Sequence, residues 1–163
     1  MEIYTKLLER SGAFQINRVV IGKLKIGVDL REGILELVKK EGIKSGVFLS
    51  GLGALAKAVF RNAKVIPPNY KMDDQYRIYR EVNHPLELVS LPGWIATKKD
   101  GEIEIHVHFT ASTVIDNEIV TFGGHLTEGT ITSIKCVIII GVIDEPKIFA
   151  AKDPIVDQTE ICW

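Results

Sequence analysis

Residues 102–126 read EIEIHVHFTASTVIDNEIVTFGGHL, and this stretch contains the pattern that decides the fold. Apolar and polar residues alternate over its first nine positions, and alternate side chains of a β-strand share one face. The apolar face of this predicted strand is formed by Ile103, Ile105, Val107 and Phe109. The polar face carries two glutamates and two histidines, Glu102, Glu104, His106 and His108. Two imidazoles on one strand face raise the question of whether a third lies nearby.

A third imidazole is expected beside this pair because the chain folds back. A turn at Asp116-Asn117 would place residues 118–125 antiparallel to residues 105–112, which brings His125 next to the two histidines. Gly123 and Gly124 precede His125, and glycines remove side-chain bulk and permit unusual backbone angles. The stretch therefore predicts a hairpin with three histidines on one face.

Three histidines in this arrangement predict a metal site. Three neutral imidazoles that bind zinc at about 2.0–2.1 Å leave a fourth position open, as in catalytic and not structural zinc sites. We expect His106, His108 and His125 to bind zinc or another divalent metal, one ion per chain. The alternative is that the first two belong to an ordinary polar strand face and that His125 is a loop residue. His84 lies in Asn83-His84-Pro85 and is interpreted as a turn residue.

The rest of the chain indicates an α/β mixture dominated by strands, in a single domain that spans residues 1–163. DLREGILELVKKEG predicts a helix that Asp29 caps and Gly42 ends. YRIYREV with LELVSL, and WIATKK with EIEIHVHFTAS, each predict a hairpin. GLGALA matches a dinucleotide-binding fingerprint, but AKAVFR alternates like a strand where that fold requires a helix. The glycines are therefore interpreted as a tight turn between two strands.

Charge and cysteine content exclude some classes of function. The formal net charge is −1, whereas proteins that grip nucleic-acid phosphates carry a basic excess. Cys136 and Cys162 form no CxxC pair and are interpreted as free thiols in a reducing cytosol. The opening residues MEIYTKLLERSG lack a signal-peptide pattern, and no apolar run approaches about 18 residues. A cytoplasmic protein without a membrane span is expected.

Four motifs in a fixed order resemble the PPC domain, the plants-and-prokaryotes conserved domain: SGLGAL, LELVSLPGWIA, HVHFTAS and FGGHLTEGTI. The resemblance covers about Val20 to Val142. It implies an α+β fold with a bent, mostly antiparallel sheet, one main helix and assembly as a homotrimer. It also implies a metal, usually zinc, on the histidines that match His106, His108 and His125. The mean hydropathy of +0.15 also favours an oligomer.

Three functions follow as hypotheses. The first is a trimeric metal-binding protein with a regulatory or small-ligand-binding role. The second is a zinc-dependent lyase or ester hydrolase acting on a small oxo-acid or ester, with Glu104 or Glu128 as proton shuttle. It rests on a more distant resemblance to acetolactate decarboxylase and to a zinc-dependent ester hydrolase. The third is DNA association, since prokaryotic PPC proteins inherit a DNA-binding name. The sequence has no Arg-Gly-Arg-Pro AT-hook core, so specific DNA binding by this chain alone is not expected.

Overall fold

The structure, a computed structural model, describes residues 7–163, and the expectations about residues 1–6 lie outside it. Within the described residues one α-helix and eleven strands form, and the predicted α+β class with a mostly antiparallel sheet is confirmed. In chain order the elements are β1 (Arg18–Lys23), α1 (Leu30–Lys40), β2 (Ser45–Ala63), β3 (Arg77–Val82), β4 (Leu86–Ser90), β5 (Gly93–Thr97), β6 (Ile103–Ile115), β7 (Glu118–Leu126), β8 (Ile131–Thr132), β9 (Val137–Val142), β10 (Phe149–Lys152) and β11 (Thr159–Cys162). A short 3-10 turn covers Asp74–Tyr76.

The long strand β2 organises the main sheet of nine strands. It pairs with β9 and β5 near its start, with β8 and β4 in its middle, and with β7 and β3 near its end. Strand β6 pairs in turn with β5, β4 and β7, so the sheet curves back toward β2. This curvature brings β6, β7 and the end of β2 side by side, with β7 in the middle.

The predicted helix and the predicted hairpin at Asp116-Asn117 both form as expected. Helix α1 begins after Asp29, whose carboxylate accepts hydrogen bonds from the backbone N–H groups of Arg31 and Glu32. The hairpin between β6 and β7 turns at Asp116 and Asn117, both with positive φ (50° and 66°), as a two-residue hairpin turn requires. The hairpin between β5 and β6 is also confirmed.

The core lies between α1 and the inner face of the curved sheet. Leu30, Ile34 and Val38 of the helix are fully buried against it. Phe60 of β2 and Phe109 of β6 stack with ring centroids 4.5 Å apart. Because Phe109 lies on the apolar face of β6, its burial leaves the opposite face of that strand for the histidines.

Two predictions about β2 and its neighbours are wrong. GLGALA is not a turn, because β2 continues through it and bends at register shifts between Phe48 and Ser50 and between Leu55 and Lys57. The stretches that form β3 and β4 do not pair with each other within the described residues. Each pairs with β2 instead, because β2 is long enough to accept both in succession.

In the described part of the chain, no helix is long and apolar enough to span a membrane.

Candidate metal centre

The three predicted histidines lie together on one face of the sheet. His106 and His108 come from β6, and His125 of β7 is directly opposite His108 in the strand register. The ring centroids are 5.2 Å apart for His106 and His108, 4.9 Å for His106 and His125, and 5.1 Å for His108 and His125. One potential ligand atom from each imidazole lies within 4.8 Å of the other two. We call these residues the histidine cluster.

The donor set of this cluster fits a divalent metal ion. The Nε2 atoms of His106 and His108 are 3.2 Å apart. Two nitrogens at about 2.0–2.1 Å from a tetrahedral ion would lie about 3.3 Å from each other, close to that spacing. His106 and His125 are half-buried and His108 is exposed, so one side of the cluster remains open to solvent. Zinc or a similar ion would find three nitrogen ligands and an accessible further position here.

The surroundings of the cluster keep its imidazoles neutral. Burial is the main cause that lowers the pKa of His125 to about 3, and the positive charge of the Arg61 guanidinium lowers it further. Burial is also the main cause of the lowered pKa of His106 and of His108. A neutral imidazole has the lone pair that a metal needs, so the cluster is in its ligating form near neutral pH.

The metal-free protein is therefore expected to lose stability as the pH falls below about 6.5, the pKa of an unperturbed histidine. Below that value the unfolded chain takes up protons that the folded chain, with its lower histidine pKa values, does not bind. The stabilising contribution is complete above about 6.5 and is lost toward lower pH. The melting temperature, measured in the presence of a chelator between about pH 8 and pH 5, reports this loss of stability. In His125→Asn the melting temperature should depend less on pH. Profiles of equal slope would contradict the role of His125.

The glycines before His125 act through close packing. Neither Gly123 nor Gly124 has a positive φ, so the expectation of unusual backbone angles is wrong. A Cβ at Gly124 would lie 3.0 Å from the carbonyl oxygen of Arg61 and 3.0 Å from Nδ2 of Asn62. The missing side chain therefore lets β7 approach the end of β2 closely, which sets the position of His125.

Sequence reasoning missed the aromatic support of the cluster. Trp94 of β5 is opposite His106 in the register, and its ring stacks on the imidazole at a centroid distance of 5.4 Å. This contact restricts rotation of the His106 ring and covers one of its faces. The hairpin predicted for WIATKK and EIEIHVHFTAS placed Trp94 on the strand beside β6. The exact register was not readable from the sequence, because the loop is closed by a hydrogen bond between Lys98 and Glu102 and spans three residues.

Arg61 is a second residue that sequence reasoning missed. It is opposite His125 on one side and opposite Tyr79 of β3 on the other. Tyr79, Arg61, His125 and His108 therefore form one row across four strands, with all four side chains on the same face. Burial lowers the pKa of Arg61, and the nearby Arg77 lowers it further. The row places a half-buried positive charge beside the histidine cluster.

A cleft of about 580 Å³ opens beside the cluster, and both predicted acidic candidates line it. Glu104 of β6 is half-buried, and its carboxylate forms an ion pair of 3.0 Å with Lys98. Glu128 is exposed in the segment that follows β7. Their role as proton shuttles stays a prediction. His84 is an exposed residue in the bend between β3 and β4, outside the histidine cluster.

The model of the Plants and Prokaryotes Conserved (PCC) domain matches residues 11–144, most of the chain. This is the family that the sequence motifs resemble, and the match extends beyond both ends of the resemblance. No curated protein matches the chain. The family assignment therefore rests on the match to the domain model.

Solved structures share the fold. A metal-containing protein of Archaeoglobus fulgidus is 23% identical with a TM-score of 0.72, covering 93% of this chain and 97% of its own. A plant- and prokaryote-conserved protein of Pyrococcus horikoshii is 23% identical with a TM-score of 0.70, covering 90% and 93%. A protein of Bacteroides thetaiotaomicron, provisionally named as DNA-binding, is 18% identical with a TM-score of 0.69, covering 90% and 93%. At these identities the likeness is one of fold alone.

Proposed function

The chain belongs to the Plants and Prokaryotes Conserved domain family, and from that premise we propose that it is a metal-binding protein with a regulatory or small-ligand-binding role. His106, His108 and His125 hold one divalent ion per chain, and three imidazoles suit zinc well. The observation that carries this proposal is the convergence of three imidazole ligand atoms within 4.8 Å of one another beside an open cleft. The metal-containing protein of Archaeoglobus fulgidus, which has the same fold, adds support.

Metal analysis of the untagged protein tests this function. A polyhistidine tag must be absent because it would bind the same ions. After saturation with zinc and gel filtration, elemental analysis should give about one ion per chain, because a structured three-histidine site retains its ion during separation. A zinc content near zero after this treatment would contradict the proposal.

A zinc-dependent lyase or ester hydrolase is the second candidate, favoured by the position of Glu104 and Glu128 in the cleft beside the cluster. A metal ion bound there would polarise a carbonyl group or lower the pKa of a bound water. Turnover of a small ester or 2-oxo acid that is lost in Glu104→Gln would shift the assignment to this enzyme class. Turnover that persists in that variant would remove Glu104 as the proton shuttle.

The protein is further proposed to act as a homotrimer, and its exposed apolar side chains support this. Val19 and Ile21 of β1 are 54% and 68% exposed, and Leu49 and Leu52 of β2 are 47% and 50% exposed. Strand β9 lies between β1 and β2, so these side chains border one region of the sheet. Exposed apolar regions of this kind mark protein–protein contacts.

Light scattering at micromolar concentration is therefore expected to give about three times the 18.1 kDa chain mass. The variant Ile21→Lys/Leu49→Lys should lower the mass, because it places two charges in the buried contact. Ile119→Lys is the matched control, since Ile119 is an exposed apolar residue on β7, which pairs with neither β1 nor β9. A monodisperse monomer of the unaltered protein would contradict the trimer.

Specific DNA binding by this chain alone is not expected, although related folds carry that name. The formal net charge is −1, and Arg18, Lys57 and Lys98 form ion pairs with acidic side chains. The one helix in residues 7–163 buries its apolar side and forms no helix-turn-helix. Fluorescence anisotropy with labelled duplexes at about 150 mM salt should show binding no tighter than about 10⁻⁶ M. Sequence-dependent nanomolar affinity would overturn this expectation.

A cytoplasmic location stays a prediction, supported by the state of the two cysteines. Cys136 and Cys162 are both free thiols, and burial raises the pKa of Cys136 to about 11. Unpaired thiols are typical of reducing compartments such as the cytosol.

A further inference from the structure

Arg61 is a cation for which the histidine cluster provides no partner. It lines the cleft and is half-buried. Within residues 7–163 no carboxylate forms an ion pair with it. The Tyr79 side chain, opposite Arg61 in the strand register, lies beside it and raises its pKa. A half-buried guanidinium has five donors and no acceptor, so Arg61 keeps donors available toward the cleft.

Asp74, the acidic group that raises the pKa of Arg61, is already engaged by two other side chains. Asp74 accepts a hydrogen bond of 3.1 Å from the Tyr79 hydroxyl and forms an ion pair of 3.3 Å with Arg77. Its side chain is 80% exposed, so water screens its charge. Asp74 is also the weakest of the influences on the pKa of Arg61. Asp74 therefore compensates Arg77, and the positive charge of Arg61 remains largely uncompensated in this part of the cleft.

The acidic residues that line the cleft do not supply the missing partner. Glu104 is paired with Lys98 at 3.0 Å. Glu160 has its pKa raised by burial and by Asp153, and neither Glu128 nor Glu160 forms an ion pair within the described residues. An anion that enters the cleft would meet unpaired donors at Arg61.

The position of Arg61 in the cross-strand row links it to the histidine cluster. Arg61 and His125 are directly opposite each other, so their Cβ atoms lie about 4.5–5.5 Å apart on the same face. An oxyanion on the Arg61 guanidinium would therefore lie beside the open side of the cluster. A small molecule with a second oxygen next to its carboxylate could contact both places at once.

We propose that this cleft binds a small carboxylate with an oxygen on the neighbouring carbon, a 2-oxo or 2-hydroxy acid, through Arg61 and the metal on the histidine cluster. The planar guanidinium fork matches a carboxylate in a bidentate contact. A cleft of about 580 Å³ is large enough for such a molecule. The contact with the metal rests on the proposed function, whereas the contact with Arg61 does not.

Ligand-observed NMR titration with pyruvate tests the inference on the zinc-loaded and the metal-free protein. The loaded protein should bind pyruvate with a Kd in about the millimolar range or tighter, as expected for so small a ligand. Arg61→Gln should weaken binding about tenfold or more, because charge-assisted hydrogen bonds are lost. Its zinc content should be unchanged. Acetate, which lacks the second oxygen, should bind more weakly than pyruvate to the loaded protein and about equally to the metal-free protein.

Arg80→Gln is the matched control. Arg80 is on β3, next to the end of β2 that carries Arg61, but its guanidinium lies over the Phe122 ring at 5.7 Å, on the other face from the row, so pyruvate binding should not change. If Arg61→Gln does not fold, Arg61→Lys keeps the charge and loses the fork, and it should still weaken binding measurably.

Each outcome separates the two proposals. Normal pyruvate affinity in folded Arg61→Gln or Arg61→Lys with full zinc content would overturn the carboxylate site and leave the metal-binding function intact. Arg61-dependent pyruvate binding by a protein that takes up no zinc after saturation would support the carboxylate site and overturn the metal-binding function. If inorganic phosphate binds as tightly as pyruvate, and its affinity depends on Arg61 in the same way, the assignment of a carboxylate ligand would be overturned.

Discussion

Replacing His108 with alanine is expected to lower the zinc content from about one ion per chain to below about 0.2 under equal metal exposure, because two imidazoles bind zinc poorly. His108 is exposed, and its ring contacts the other two histidines of the cluster. Its removal therefore takes away one ligand and leaves the buried core unchanged. Elemental analysis after gel filtration, with circular dichroism to verify folding, measures the effect.

His84→Ala is the matched control for this substitution. His84 is also exposed, but it lies in the bend between β3 and β4 and belongs to no metal-binding cluster of the described residues. This variant should keep about one ion per chain and the same increase in melting temperature when zinc is added. Retention of one zinc per chain by His108→Ala would show that the three-histidine assignment is wrong.

The parts of the site that could be predicted from sequence are those encoded locally. The β6–β7 hairpin follows from strict alternation of apolar and polar residues and from Asp116-Asn117, two residues that tolerate positive φ. Once the hairpin is set, its register brings His108 opposite His125 without help from the rest of the chain. The histidine cluster is therefore a short-range feature, and its prediction needed only the pattern of residues 102–126.

The rest of the site depends on pairing between distant segments. Arg61 reaches the cluster only because the end of β2 pairs with β7, a contact between segments more than sixty residues apart. Tyr79 joins the row through a further pairing of β3 with β2. Neither residue belongs to a motif, and the register of long-range strand pairs is not readable from local alternation. These residues could be assigned only once the sheet was known.

The wrong prediction at GLGALA has a local cause. Two glycines among small apolar residues are typical of a tight turn, yet the same freedom lets a long strand bend without ending. Strand β2 uses that freedom at Gly53, which has φ of +139° and lies in the middle of the strand. The bend allows one strand to pair with β9 at its start and with β7 at its end. Gly53 lies between the two register shifts through which β2 bends toward β7.

Gly53→Ala is accordingly expected to destabilise the fold severely, by at least about 3 kcal/mol. A Cβ at this position would lie 2.4 Å from the carbonyl oxygen of Lys135 and 2.6 Å from the Cα of Cys136. Both are backbone atoms that cannot rotate away, and the backbone conformation itself is one that L-residues rarely adopt. The strain and the overlap act together, so β2 must shift relative to the segment before β9.

Gly27→Ala separates these two contributions. Gly27 also has a positive φ of +81°, but a Cβ there would have no atom within 4 Å, so only the conformational cost of about 1–2 kcal/mol applies. Urea unfolding of the two variants and the unaltered protein measures the difference. We expect Gly27→Ala to fold with a lowered midpoint and Gly53→Ala to unfold at a much lower urea concentration or to lack cooperative structure. Equal midpoints for the two variants would show that the chain can relax around Gly53, and the bend in β2 would then not require a glycine.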